Sequence, residues 1–217
     1  MNGGASRALY LAVKRLVDIA AASLGLLILS PLLLGIAAVI RLTSPGPAFY
    51  RGLRSGMGGV PFRMLKFRTM VADAERIGGP STGKNDPRVT PIGRFLRAHK
   101  LDELPQLINV LRGEMSLVGP RPEVLQYTQL YEGEEKLILT VKPGITDFAS
   151  IEFIDLAEHL GSDRVDHTYE RNVKPVKNQL RIRYVREQGL RTDARILVRT
   201  LLHIVGVNRR IPNVARQ

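Results

Sequence analysis

The sequence contains no cysteine and no tryptophan, and only 6% of its 217 residues are aromatic. Without cysteine there are no disulfides and no thiolate chemistry, which suits a chain that faces the cytoplasm. So few aromatics leave little on which nucleic-acid bases could stack, and neither a zinc-finger nor an RNP pattern is present. The four histidines, His99, His159, His167 and His203, show no HExxH-type spacing, which argues against a zinc site. Acidic residues are also scarce. Twenty Asp and Glu stand against 32 Lys and Arg, a net charge of +12, and this excess implies an anionic partner. Of the three candidates, namely nucleic acid, an anionic membrane face and phosphorylated substrates, the aromatic content disfavours the first. The length suits one principal domain with a sizeable core. There is no internal repeat and no low-complexity segment.

What is abundant is one apolar run, Leu16 to Leu42, interrupted by Asp18 and by Ser30-Pro31. Roughly 20 apolar residues suffice to cross a bilayer, so a spanning helix is the plain reading. A cleaved signal peptide fits poorly, because the run is too long and no small-residue cleavage site follows. Basic residues flank both ends, Lys14 and Arg15 before it and Arg41, Arg51 and Arg54 after it. A spanning helix should have one side poor in Lys and Arg. Pro31 also removes a donor from the helical ladder, and the Ser30 hydroxyl can satisfy the carbonyl so freed. A helix that enters, bends at Ser30-Pro31 and returns to the same face satisfies both observations. Residues 1–13, small and polar, are expected to fray, and residues 1–45 together form the expected anchor.

Thr43–Pro47 is a turn cluster. Ala48–Arg54 and Val60–Arg68 read as two strands of a hairpin around Ser55–Gly59. Lys66 and Arg68 could reach a diphosphate or lipid headgroups. Val71–Ile77 reads as a short helix, Gly78–Asp86 as a polar loop that could cover a site, and Pro91–Leu101 as a helix. Arg94 and Arg97 lie three apart on that helix and share a face, directly before Asp102 and Glu103. Leu104, Leu107, Ile108 and Leu111 then recur at helical spacing, and Pro105 fits only a first turn or a kink. Asp102 therefore falls at a helix N-terminus, where negative charge is favoured. An ordinary capping carboxylate has the same signature. Further on, Glu123–Leu139 reads as a helix, Phe148–Phe153 as a strand, and Leu180–Arg186 and Ala194–Val205 as amphipathic helices with basic faces. Such helices pack on a domain or lie in a membrane interface. Residues 208–217 read as a disordered tail.

The run NDPRVTPIGRFLRAHKLDELPQLINVLRGEMSLVGPRP, from Asn85 to Pro122, resembles the signature block of the bacterial monotopic phosphoglycosyl transferases, the polyprenyl-phosphate sugar-1-phosphate transferases. The resemblance extends upstream to Arg54-x-Gly56-x-x-Gly59-x-x-Phe62 and Lys66-Phe-Arg-Thr-Met70, and downstream to Lys142-Pro-Gly-Ile-Thr146. It implies an α+β, mostly helical fold: a re-entrant membrane helix hinged at Ser30 and Pro31, a small β-hairpin, and amphipathic interfacial helices. The catalytic domain, residues 46–207, would sit on the cytoplasmic face of a bacterial inner membrane, with both ends of the anchor on that side. The implied reaction moves a sugar-1-phosphate from a UDP-sugar to polyprenyl (undecaprenyl) phosphate and releases UMP, as the first membrane step of a glycan assembly pathway.

The resemblance also assigns roles. Asp102 would be the nucleophile, forming an aspartyl phospho-sugar, and the protein ligand of Mg²⁺. Glu103 would orient or deprotonate the acceptor or assist nucleotide departure. Lys66, Arg68, Arg94, Arg97 and the Gly119-Pro120-Arg121 turn would contact substrate phosphates. Many relatives carry Gly-Trp-Ala-Gln after Gly-Ile-Thr, with an arginine beyond it in a phosphate-contacting role. Here the chain reads Asp147-Phe-Ala-Ser-Ile-Glu-Phe153, followed by Ile154 and Asp155, so the distal phosphate contact must come from elsewhere. Two other classes compete: a non-catalytic basic scaffold on the membrane, and a nucleic-acid-binding membrane protein. The intact carboxylate pair argues against the scaffold. A transferase without a covalent intermediate is a third reading.

Overall fold

The computed structural model describes residues 3–78, 82–83, 85–153, 156 and 165–204. Its first element, α1 (Gly3–Thr43), is assigned as one helix that includes Pro31. It begins well before the expected start, because residues 1–13 carry polar groups that hold it to the domain. The Tyr10 hydroxyl donates to Asp193 at 3.0 Å, and Lys14 Nζ reaches the same carboxylate at 2.6 Å and the Val118 carbonyl at 2.8 Å. Arg15 donates to the carbonyls of Val110 and Leu111, the exposed negative end of a later helix. Asp18, the one acid in the apolar run, is buried and accepts the Leu117 amide at 2.9 Å. Past Pro31 the helix touches the domain again, with Leu33, Ile36, Ala37 and Ile40 packed on Ala48, Phe67 and Leu96. Between these limbs Leu24, Leu27, Ile28 and Leu34 are exposed. Ser30 Oγ donates at 2.8 Å to the Leu27 carbonyl, which is the acceptor that Pro31 leaves without a donor. By length and composition α1 could cross a membrane.

β1 (Phe49–Ser55) and β2 (Pro61–Phe67) form the expected antiparallel hairpin, in register from Phe49 opposite Phe67 to Ser55 opposite Pro61. Gly58 and Gly59 take positive φ at its turn, where a side chain would be strained. After the short α2 (Ala74–Ile77), α3 (Pro91–Ala98) is capped by Thr90, which accepts the Gly93 amide. α3 stops three residues before the expected end because Lys100 adopts a left-handed conformation. A 3₁₀ turn, Leu101–Glu103, leads into α4 (Gln106–Arg112). Asn109 on α4 fixes it to the hairpin. Its amide oxygen accepts Leu65 N at 2.9 Å, and its nitrogen donates to Arg63 O at 2.9 Å and to Glu114 at 2.7 Å.

β3 (Ser116–Val118) and β4 (Gly144–Thr146) pair in parallel. Their ends meet closely at Gly119 and Gly144. A Cβ on Gly144 would stand 2.1 Å from the Gly119 nitrogen, and one on Gly119 2.5 Å from the Lys142 carbonyl. Two expectations fail between and after these strands. Glu123–Leu139 is not one helix but α5 (Leu125–Thr128) and a 3₁₀ stretch, Gly133–Thr140, because Gly133 turns the chain at positive φ. Phe148–Phe153 is not a strand but α6 (Phe148–Glu152). Asp147 caps it by accepting the Ser150 amide at 2.6 Å and its hydroxyl at 2.7 Å, so the strand lies one motif earlier. α7 (Val165–Thr168) continues through a π turn, Tyr169–Val173, into α8 (Lys174–Glu187), and α9 (Leu190–Ile204) follows. The chain is α+β and mostly helical, as expected. The expected tail, and Ile154 and Asp155, lie outside the described residues.

Because Asn109 is fully buried, replacing it with alanine strips the partner from a strand amide and from a strand carbonyl. Asn109→Ala is expected to destabilise the domain by about 2–4 kcal/mol, read as a lower unfolding midpoint of the detergent-solubilised chain.

Candidate active site

The left-handed Lys100 and the 3₁₀ turn reverse the chain between α3 and α4, so that Asp102 and Glu103 both face a cleft of about 690 Å³. Asp102 does not stand at the N-terminus of α4 as expected: it lies within the 3₁₀ turn, because the chain needs Leu104 and Pro105 to enter the helix, and Pro105 takes the position before it. Adjacent in sequence, the two carboxylates have opposite surroundings. Glu103 Oε1 accepts from Lys66 Nζ at 2.9 Å and from Arg121 Nη2 in a closer contact. Burial works against this anion, yet Arg121 and then Lys66 outweigh it and hold the carboxyl at about 2. Asp102 is buried too, and no described side chain hydrogen-bonds or ion-pairs with its carboxylate. Burial, with the Glu103 charge adding to it, pushes this carboxyl above its ordinary value, although Lys66 and Arg97 pull the other way. Lys66 is itself pushed down by burial, against the pull of Glu103.

Arg121 is fixed from three directions. Its Nη1 donates to Ile145 O at 2.8 Å, its amide to Asp147 at 3.1 Å, and its Nη2 to Glu103. It is therefore both a turn arginine bonding a carbonyl and a cation facing the cleft. Arg97 lines the cleft with its Nε on Thr69 Oγ1 at 2.9 Å. Lys66, Arg97, Asp102, Glu103 and Arg121 are thus brought together. Four other expected residues are not. Arg68 turns away and closes the end of α1, donating to the carbonyls of Pro45 and Ser44 and to the Ser44 hydroxyl at 2.7 Å. Arg94 is exposed on α3, outside the cleft lining. Gly119 and Pro120 are buried where β3 meets β4, and their backbone bonds to Thr146 and Gly144 account for them.

The cleft has a second charged group that the sequence reading passed over. Glu123 Oε1 accepts from Arg181 Nη2 at 2.8 Å and from the Tyr169 hydroxyl. Burial opposes the Glu123 anion, but Arg181 above all keeps it near 2. Lys177, one turn before Arg181 on α8, lines the same space. Two basic residues at i and i+4 were the available signal, hidden in a stretch that looks like an ordinary charged helix face. The cleft is also lined by apolar side chains, among them Leu104, Leu107, Leu117, Ile145, Leu197 and Ile204. Among the described residues no cluster of three or more His, Asp or Glu forms a metal cage. Asp102 remains a carboxylate free to share a divalent cation with substrate phosphates, which suits Mg²⁺ chemistry.

A cleft lined by both charged and apolar side chains, in a chain whose first helix is apolar enough for a membrane, fits the family that most of the sequence matches. The bacterial sugar transferase pattern covers residues 9–207, and the chain belongs to that family. It is 44% identical over 194 residues to the UDP-glucose:undecaprenyl-phosphate glucose-1-phosphate transferase of Escherichia coli (strain K12), across 87% of this chain and 39% of that protein. A protein of the same description from Caulobacter vibrioides is 38% identical over 191 residues, across 87% of this chain and 68% of the relative. The UDP-N-acetylgalactosamine-undecaprenyl-phosphate N-acetylgalactosaminephosphotransferase of Aeromonas hydrophila is 40% identical over 146 residues, across 66% of this chain and 34% of the relative. The chain thus spans well under half the length of two of these relatives.

The unpaired burial of Asp102 has a consequence for stability. A carboxyl whose folded value is raised above 3.8 binds its proton more tightly folded than unfolded. The fold therefore loses stability as pH rises through that interval, and the cost is fully present above it. Asp102→Asn is expected to melt at least as high as wild type at pH 7, with the difference shrinking toward pH 4. A marked loss of stability at pH 7 would show that the carboxylate holds the fold together.

Proposed function

We propose that the chain is a phosphoglycosyl transferase that moves a sugar-1-phosphate from a UDP-sugar to undecaprenyl phosphate and releases UMP. The observation that carries this reading is the unpaired, buried Asp102 beside a fully neutralised Glu103, in a family whose named relatives act on these substrates. The Asp102 carboxylate attacks the sugar-side phosphorus of the donor, and the bond from that phosphorus to the bridging oxygen breaks. UMP departs with the electron pair, leaving the sugar phosphate esterified to Asp102. A phosphate oxygen of the polyprenyl acceptor then attacks the same phosphorus, and the carboxylate is restored. A carboxylate raised in basicity and short of partners is a better nucleophile than a capped one.

Lys66, Arg97 and Arg121 neutralise the oxygens of the transferring group. Glu103, held near 2, is too weak a base to take a proton at neutral pH. Its work is to fix Lys66 and Arg121. Asp102 would hold Mg²⁺, whose contribution when bound is to offset charge on the diphosphate. The apolar lining receives the first isoprene units of the acceptor, whose phosphate lies at the headgroup plane. α1 supports a re-entrant anchor, since both of its limbs are fastened to the one domain. A helix crossing the bilayer would carry its two ends to opposite faces. The cytoplasmic face of the inner membrane is where nucleotide sugars are available to this cleft.

Release of UMP from a panel of UDP-sugars, with Mg²⁺ and undecaprenyl phosphate, tests the reaction. Asp102→Asn is expected to lower turnover by about a thousandfold or more, while donor alone should leave a sugar-phosphate adduct on wild-type Asp102, visible by intact mass. Equal turnover by both proteins would sink the nucleophile, and no adduct would leave a direct transfer. The anchor has its own test, helped by the absence of native cysteine. Single cysteines at the exposed positions Ala5 and Arg51 should be labelled from the same face of the membrane by an impermeant maleimide. Labelling from opposite faces would mean a spanning helix.

A further inference from the structure

Among the cations of the cleft, Lys177 is the one that is buried and without a counter-charge. It is 6% exposed and lines the cleft, and its ammonium lies 5.2 Å from the centre of the Tyr169 ring. No described carboxylate pairs with it. The acids that face it are already engaged: Glu123 by Arg181 and Tyr169, and Asp147 by Ser150 and the Arg121 amide. Confining an ammonium to a cleft with a ring but no carboxylate for company is costly, and the ring recovers part of that cost. A neutral side chain of similar length would sit there more stably. Such a residue points to an anion that arrives from outside.

The location narrows which anion. The Arg121 side chain bonds Glu103, the neighbour of Asp102, while its amide bonds Asp147, whose carboxylate lies 4.0 Å from Arg181, one turn from Lys177 on α8. Arg121 therefore links the carboxylate pair to the Lys177 region of the cleft. The Lys177 ammonium lies over Tyr169, whose ring packs against Tyr127. We propose that Lys177 binds the nucleotide-side phosphate of the donor, the one that leaves as UMP. This inference rests on the transfer reaction proposed above, but the contact can be measured without turnover.

Burial, and after it Arg181, press the Lys177 ammonium down to about 8, with Arg121 adding to the effect and Glu123 and Asp147 opposing it. The lysine is charged below that pH and neutral above it. A phosphate monoester is fully ionised from about pH 7 upward, so a loss of affinity above pH 8 reports the lysine and not the ligand.

The experiment is UMP binding by calorimetry to the full chain in lipid nanodiscs, together with KM for donor and for acceptor, in wild type, Lys177→Gln and Lys177→Arg. For Lys177→Gln, UMP affinity should fall roughly ten- to hundredfold and donor KM should rise by a similar factor, with acceptor KM unchanged. Lys177→Arg should recover most of the affinity. Wild-type affinity should weaken as pH rises through about 8, a limb absent from both variants. Unchanged UMP affinity in a Lys177→Gln protein that melts like wild type overturns the assignment. So does a rise confined to acceptor KM, which would place the acceptor phosphate on Lys177. If wild type binds UMP in this manner yet transfers no sugar phosphate, the reaction is wrong and the phosphate contact stands.

Discussion

Glu103 is shared by two cations, and Asp102, one residue earlier, is held by none among the described residues. Two adjacent carboxylates in one buried wall repel each other, and each would resist ionisation if left alone. The fold resolves this by concentrating the available positive charge on one of them. Lys66 comes from β2 and Arg121 from the turn after β3, so the ionised Glu103 ties the hairpin to the segment that leads into β4 and α6. The same pairing consumes the two cations that would otherwise settle on Asp102. Structural closure of the cleft and the unpaired state of Asp102 among the described residues thus have one cause, and a change at Glu103 would disturb both.

The position of that cleft relative to a membrane depends on a second set of polar contacts. Lys14, Arg15 and Asp18 look like blemishes in an apolar run, and each is a staple. Lys14 joins α1 to α9 through Asp193, Arg15 joins it to the end of α4, and Asp18 joins it to β3. Each partner is a backbone group or a carboxylate that is itself held, so helix α1 is oriented as well as attached. Leu107 and Leu117, which line the apolar side of the cleft, also pack in the core cluster built around Ala22 of α1. Apolar side chains thus connect α1 directly to the lining of the cleft.

Much of this was legible in the sequence, and the failures have physical reasons. The hairpin announced itself through alternation and a glycine-rich turn, and the Ser30-Pro31 pair through the chemistry of a lost donor. Asp102, Glu103 and Arg121 stood out as a motif. Arg68 did not behave as its motif suggested because the turn just after α1 needed donors for the Ser44 and Pro45 carbonyls, a demand visible only once the helix end is placed. The segment after Thr146 was misread because Asp147 acts as a cap, and a capping aspartate outweighs the β-propensity of Phe148 and Ile151. Lys177 and Arg181 were invisible for a different reason. Their meaning depends on Glu123, more than fifty residues away, and no local pattern encodes such a pairing.

The strongly basic composition takes on a narrower meaning in this light. Seven cations line the cleft, Arg54, Lys66, Arg97, Lys100, Arg121, Lys177 and Arg181, against three carboxylates. A count of this kind would suit any polyanion, nucleic acid included. Pairing changes the count into a pattern. Lys66, Arg121 and Arg181 are committed to Glu103 and Glu123, whereas Arg97 bonds only a hydroxyl and Lys177 faces a ring. Arg54 bonds the Leu53 carbonyl, and among the described residues Arg97 and Lys177 are cleft cations without a carboxylate partner. The charge available to a ligand therefore lies at separate points in a cleft that apolar side chains also line. A long polyanion needs an open, continuous track of exposed cations. A compact diphosphate needs charge at both of its phosphorus centres, and that is the arrangement the committed pairs leave behind.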